Sequence, residues 1–463
     1  MSSGGWSDRV EQLALALFLC TGLAVPFYAF PVIRTAGRFV DAATLFAGLF
    51  AATCLLLLGL RRRIPPLGFL VVAAIGVPLL VLIEPRPPLF EPPAFASSFG
   101  HWLLVVSVFA GASLLRPTRE ARLRLVRSGA LIGAAVALFA LYQAFGHRAG
   151  WPGTGSLLTS AQREPLRLMP VGDLGYVRPT SVFLEPAWLG GYLAFVMAGL
   201  FGLLPARGSG RRGAGIAVAA ALAIVLLAIL ATVSWGAYLD LGAVLIVSLW
   251  GLRGRIRTAP GPAATVAAAL LLALVAVAVS PMGRLVGNAA IERWRTLRET
   301  PVGEDVSARD VADSSWMRAE NLRHTVGLIE QCPWKGVGLG QFRRYARTSG
   351  PSFIAVAATR DPWCGWLSIA AETGLAGPVV LAAFLFVVLR RRARAREGAV
   401  EPGDLLWRVT APALVLLAAV EQAHTGSYID LWWWYPLAVA LVLAGPVAGP
   451  PPAILASGNG GVA

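Results

Sequence analysis

Charge is scarce in this chain, and lysine is nearly missing. Only 14% of the 463 residues are charged, well below the usage of a soluble globular domain. Apart from Lys335, every Lys-or-Arg position is arginine, a bias that suits bidentate recognition of phosphate or carboxylate. Four cysteines are too few for a disulfide framework. Cys20 and Cys54 sit in apolar runs and read as small core residues. Cys332 and Cys364 bound one loop segment of roughly 30 residues, where oxidising conditions would permit a bridge. No apolar run alternates with period two, which excludes a membrane barrel. The first apolar run lacks a small-residue cleavage site and is expected to stay as a helix. An Asp-x-Asp pair and a His-rich cluster are both missing from the expected outer segments, so no cofactor or metal is assigned, although scattered carboxylates leave a divalent ion open.

Apolar residues make up 56% of the chain and its mean hydropathy is +0.66, more apolar surface than a soluble fold buries. The expected class is all-α: a polytopic membrane helix bundle of about twelve transmembrane helices, each near the ~20 residues needed to cross hydrocarbon. The runs lie near 11–32, 42–60, 66–83, 99–115, 128–146, 179–204, 214–233, 236–251, 262–281, 363–389, 405–423 and 430–447. Residues 1–463 form a single membrane domain. Arginines cluster in alternate short connections, at Arg61 to Arg63, Arg116 to Arg127, Arg207 to Arg212, Arg253 to Arg257 and Arg390 to Arg396, which places those connections and both termini in the cytoplasm. The segments 147–177 and 282–362 then lie outside, the second being one large loop between helices 9 and 10, partly helical and covering the outer face. The net charge of +15 is in part topological and does not call for nucleic acid.

The chemistry gathers on the outer side. Arg178 is expected at the interface and Glu185 about two turns deeper than Arg178, in a sixth helix beginning near Thr180, where a carboxylate in lipid is costly and therefore faces a polar cavity. Gly190 and Gly191 permit close packing. Trp235 marks an interface and Asp240 lies one turn into the eighth helix. A loop helix capped by Asp313 or Ser314 has an apolar stripe of Ala319, Leu322, Val326 and Ile329 and a polar face with Arg318, Asn321 and Thr325. Gly336, Gly338 and Gly340 follow in PWKGVGLGQF, where glycine lets backbone amides approach an anion.

The series R-x-T-S-x-F-x-E-P, then S-x-x-x-R with P-W-K-G-V-G-L-G-x-F, then W-L-x-x-x-A-E-T-G-L-x-G resembles the bacterial O-antigen ligase and polymerase family over about 178–390. That family consists of polytopic glycosyltransferases using undecaprenyl-pyrophosphate-linked glycans at the outer face of the cytoplasmic membrane. The resemblance implies a metal-independent enzyme of cell-envelope polysaccharide assembly, with the lipid-linked glycan, a glycan or lipid acceptor and membrane lipid as partners. Ligase-type members carry a histidine near the last motif, where this chain has Trp363 and Cys364, and an arginine where it has Trp235. Those departures favour a polymerase-type transferase over a ligase. Arg178 and Arg318, followed by Arg343 and Arg344, are the expected diphosphate ligands; Glu185, then Glu372, are the expected bases. His324 and Asp240 are further possible site residues. The reading from a different class is a transporter or flippase for lipid-linked glycan, with Glu185, Asp240, Glu372 and Glu421 along a pathway.

Overall fold

The computed structural model describes residues 3–28, 30–35, 38–61, 67–83, 86–154, 169–171, 176–183, 185–204, 212–258, 275, 279, 281–299, 315–349, 364–397, 405–425 and 430–445. The described chain is helical apart from two short antiparallel hairpins, β1 (Pro31–Thr35) with β2 (Arg38–Asp41) and β3 (Met169–Val171) with β4 (Tyr176–Arg178). Its helices are α1 (Ser3–Ala24), α2 (Ala42–Arg61), α3 (Gly68–Leu79), α4 (Pro92–Leu114), α5 (Arg119–Gly146), α6 (Pro186–Gly202), α7 (Arg212–Ala231) and α8 (Trp235–Thr258). Then follow α9 (Pro281–Glu299), α10 (Ser315–Gln331), α11 (Phe342–Ser349), α12 (Gly365–Thr373), α13 (Ala376–Glu397), α14 (Ala411–His424) and α15 (Leu431–Ala444). Among the described residues, seven helical stretches are long and apolar enough to cross a membrane, and three shorter apolar helices accompany them. A helix satisfies its backbone internally, which hydrocarbon demands. The all-α membrane class therefore holds.

Several expected spans differ from their sequence boundaries: the first helix starts at Ser3 and ends at Ala24, the fourth starts at Pro92 and the fifth at Arg119, while most of the expected span 262–281 lies outside the described residues. The sixth helix starts at Pro186, not near Thr180, with Glu185 in extended backbone just before it. Proline at the first helical position, where no partner for its missing N–H is needed, fixes that start. The tenth span is split at Gly374, whose φ of 73° ends α12 before α13 begins. That left-handed turn suits glycine alone.

α6 and α15 are enclosed by the rest of the bundle. Both are apolar all round and bury almost every residue, with Trp432, Trp433 and Trp434 packed at the start of α15. This is the pattern of helices enclosed by others. Gly190 lets α6 close on Ala237 of α8, since a Cβ there would collide with that side chain.

Arginines from separate expected connections meet at one end. Arg61 pairs with Glu11 and donates to Leu114 O (2.9 Å), and Arg391 donates to Ser113 O (3.2 Å). Buried Arg122 donates to the carbonyls of Leu443 (3.0 Å) and Gly445 (2.8 Å) at the end of α15.

Candidate functional site

The glycine-rich turn after α10 finds its anion within the chain. The Gly340 amide donates to Glu372 Oε2 (2.8 Å) and the Phe342 amide to Oε1 (3.0 Å), so one carboxylate both closes the turn and caps α11. The Val337 and Gly338 amides donate to the carbonyls of Ala371 (2.9 Å) and Glu372 (2.8 Å), and the Leu375 amide to Pro333 O (2.8 Å). Gly336, Gly338 and Gly340 have φ of 64°, 103° and 72°. A Cβ on Gly336 would strike the Glu372 backbone. Of the glycine amides expected to cradle a diphosphate, those of Gly338 and Gly340 are thus taken by Glu372, which is buried at 5% exposure, and that of Gly336 by Cys332 O (3.0 Å). An apolar knot of Leu328, Val337, Phe342, Tyr345, Ala346 and Ala371 lies beneath.

This unit docks on the start of α4. Gln341 exchanges hydrogen bonds with Glu91 (3.0 Å each), the Leu89 amide donates to the Tyr345 hydroxyl (2.9 Å), and exposed Arg344 pairs with Glu91. Arg343 is also exposed. Half-buried His324 meets Phe342 edge-on, with ring centroids 6.4 Å apart. The inner face of α10 is not the apolar stripe: Asn321, Thr325 and Leu328 are buried, while Val326 is 42% exposed. Thr325 faces inward because its hydroxyl is satisfied by Asn321 O (2.6 Å). The side chain of Arg318 lies outside the described residues.

The bridge that the sequence permits between Cys332 and Cys364 is not formed, and both are free thiols. Cys364 precedes α12, whereas Cys332 packs near Ala371 at the far end of that helix. Seven residues of helix separate those levels, about 10 Å along the axis.

Arg178 occupies a second polar locus at the entrance to α6. Tyr176, Val177, Arg178, Thr180 and Ser181 are all buried although the backbone is not helical. Arg178 Nε donates to Thr232 O (2.8 Å), and the Tyr176 hydroxyl donates to Ala231 O. The Ser181 amide donates to Gln143 Oε1 (2.6 Å) and its hydroxyl to Val136 O (2.9 Å). Ser181 and Val233 have φ of 52° and 45°, the two non-glycine residues in left-handed backbone among those described. A β-branched residue there is a true outlier, and such strain concentrates at functional sites. Glu185 is half-buried at the N-cap of α6, and Trp235 beside this locus is 45% exposed.

A third locus lies between α8 and α14. Asp240 and Glu421 are fully buried, and His424 Nε2 lies 3.0 Å from Asp240 Oδ1 and 3.5 Å from Glu421 Oε2. Asp240 and Glu421 are two of the four carboxylates that the transporter reading sets along a pathway, whereas His424 is not among the expected site residues. The signal for His424 was its place three residues after Glu421, which puts both on one helix face.

The structure brings Glu372 to Gly340, and Asp240 to Glu421 and His424. No family model matches the chain, and no curated protein matches it.

Proposed function

We propose that this membrane protein is a glycosyltransferase of the outer face of the cytoplasmic membrane, moving a glycan from undecaprenyl pyrophosphate to a glycan acceptor, with both termini cytoplasmic. The observation that supports the reading is Arg178, a buried guanidinium at the end of β4, beside the left-handed residues Ser181 and Val233 at the mouth of α6. Such a fixed cation suits a leaving diphosphate. Polymerase-type transfer is favoured over ligation by Trp235 and Trp363.

In the proposed step the acceptor hydroxyl attacks the anomeric carbon, the carbon–oxygen bond to the diphosphate breaks, and the hydroxyl proton passes to a carboxylate. Glu185 fits the base better than Glu372, both of whose oxygens hold backbone amides. Arg178 and Arg318 bind the departing diphosphate. An apolar cleft lined by Leu19, Gly129, Tyr192, Val196 and Val439 offers room for the polyprenyl tail.

The test is reconstitution with lipid-linked oligosaccharide, with and without a second acceptor. Longer glycans on the same lipid mark a polymerase and transfer to another lipid a ligase. Arg178→Ala should lower turnover by about 10²-fold or more, Arg178→Lys should restore little because the planar fork is lost, and near-normal transfer by Arg178→Ala, Arg318→Ala and Glu185→Gln would refute the assignment. A transporter is the second reading, favoured by ionisable Asp240, Glu421 and His424 inside the membrane bundle; counter-flow of labelled lipid-linked glycan without new bonds would establish it.

A further inference from the structure

We propose that Asp240, Glu421 and His424 form a site for one divalent transition-metal ion of the zinc class, inside the bundle and independent of the glycan-transfer reading. One donor atom from each residue lies within 4.8 Å of the other two. Donors of a tetrahedral zinc site, bound at 2.0–2.1 Å, sit about 3.3 Å apart. The distances from His424 Nε2 to Asp240 Oδ1 and Glu421 Oε2, 3.0 Å and 3.5 Å, fall on either side of that value.

Unmet oxygens point to the same ligand. Asp240 Oδ2 and both Glu421 carboxylate oxygens are buried with no hydrogen-bond partner. Among the described residues His424 is the one cationic partner of either carboxylate. In the form that binds a metal, with neutral imidazole and both carboxylates ionised, the cluster carries two negative charges in a low-dielectric interior, a large cost that a divalent cation removes. An imidazole among the donors favours a borderline ion over magnesium or calcium, which prefer all-oxygen shells.

Three helices shape the space. Glu421 and His424 are one turn apart on α14, and Asp240 faces them from α8. On α6, Gly191 leaves room for the Glu421 carboxylate, since a Cβ there would lie 2.7 Å from Oε2. Gly236 does the same for the His424 ring, at 2.5 Å from Nδ1. His424 keeps 16% of its side chain exposed, which gives an ion a way in. Three protein donors leave a fourth position for water or a substrate oxygen, the pattern of open zinc sites.

The test uses the untagged full-length protein in lipid nanodiscs, stripped with a chelator and titrated separately with Zn²⁺, Co²⁺ and Mg²⁺. The expected result is about one Zn²⁺ per chain by elemental mass spectrometry, a rise in melting temperature with Zn²⁺ but not Mg²⁺, and visible absorption of tetrahedral Co²⁺. His424→Ala and near-isosteric Glu421→Gln should each weaken Zn²⁺ binding at least tenfold. Failure of the wild-type chain to bind Zn²⁺ or Co²⁺ would overturn the proposal without reference to any variant. Undiminished binding by well-folded Glu421→Gln and His424→Ala proteins would overturn it as well.

Discussion

Glu372 and Glu421 are both buried glutamates near the C-terminal ends of apolar helices, α12 and α14, yet their surroundings differ in kind. Glu372 spends both oxygens on backbone amides of the glycine-rich turn. Glu421 has no hydrogen bond to either oxygen and shares its space with a second carboxylate and an imidazole. Burial alone therefore does not mark a working carboxylate. What separates the two is whether the protein itself supplies the donors: Glu372 is a fastener, and Glu421 is left available to a ligand.

The sharpest way to break this contrast is to remove the fastener. Glu372→Ala should destabilise the α10–α11 unit by about 3–6 kcal/mol, since it removes two hydrogen bonds to a charged group at roughly 1.5–3 kcal/mol each. Hydrogen exchange at the Gly340 and Phe342 amides reads the loss directly. Unchanged protection there would mean that Glu372 is free for chemistry after all.

Gly374→Ala should cost somewhat less, about 2–3 kcal/mol, from left-handed backbone and a collision with the Trp334 backbone. Denaturant unfolding of the same unit checks it. A metal-free Glu421→Gln protein should stay within about 1 kcal/mol of wild type, because loss of a buried charge without hydrogen bonds removes a desolvation cost along with its coupling to His424. A loss as large as that of Glu372→Ala would erase the distinction. Glu120→Ala sets the floor: its pair with Arg124 is about 70% exposed on both sides and should be worth no more than ~0.5 kcal/mol.

The membrane class and most helix positions were legible in composition and run length, because the demand for internally satisfied backbone acts locally along the chain. The arginine-rich connections were legible too, and Arg61, Arg122 and Arg391 do gather at one end. Less could be read where the partner is remote in sequence. The turn's glycines announced an anion, but that it was Glu372, about thirty residues on, depended on Gly374 breaking the tenth span. Asn321 and Thr325 face inward against the apolar pattern because Thr325 satisfies its hydroxyl within its own helix. His424 carried little signal alone, since its meaning comes from Asp240, 184 positions away.

The grip of Arg122 on the last turn of α15 spans 321 residues of chain. During synthesis α5 enters the membrane long before α15 exists, and until then that guanidinium has neither of these two carbonyls. Tyr435 of α15 likewise donates to Phe18 O of α1 (2.9 Å), across 417 residues. α1 and α5 each thus keep one polar group for a helix made much later. A chain that stops short of α15 therefore lacks the contacts that tie both α5 and α1 to the end of the bundle's assembly, the two carbonyls for Arg122 and the hydroxyl for Phe18 O.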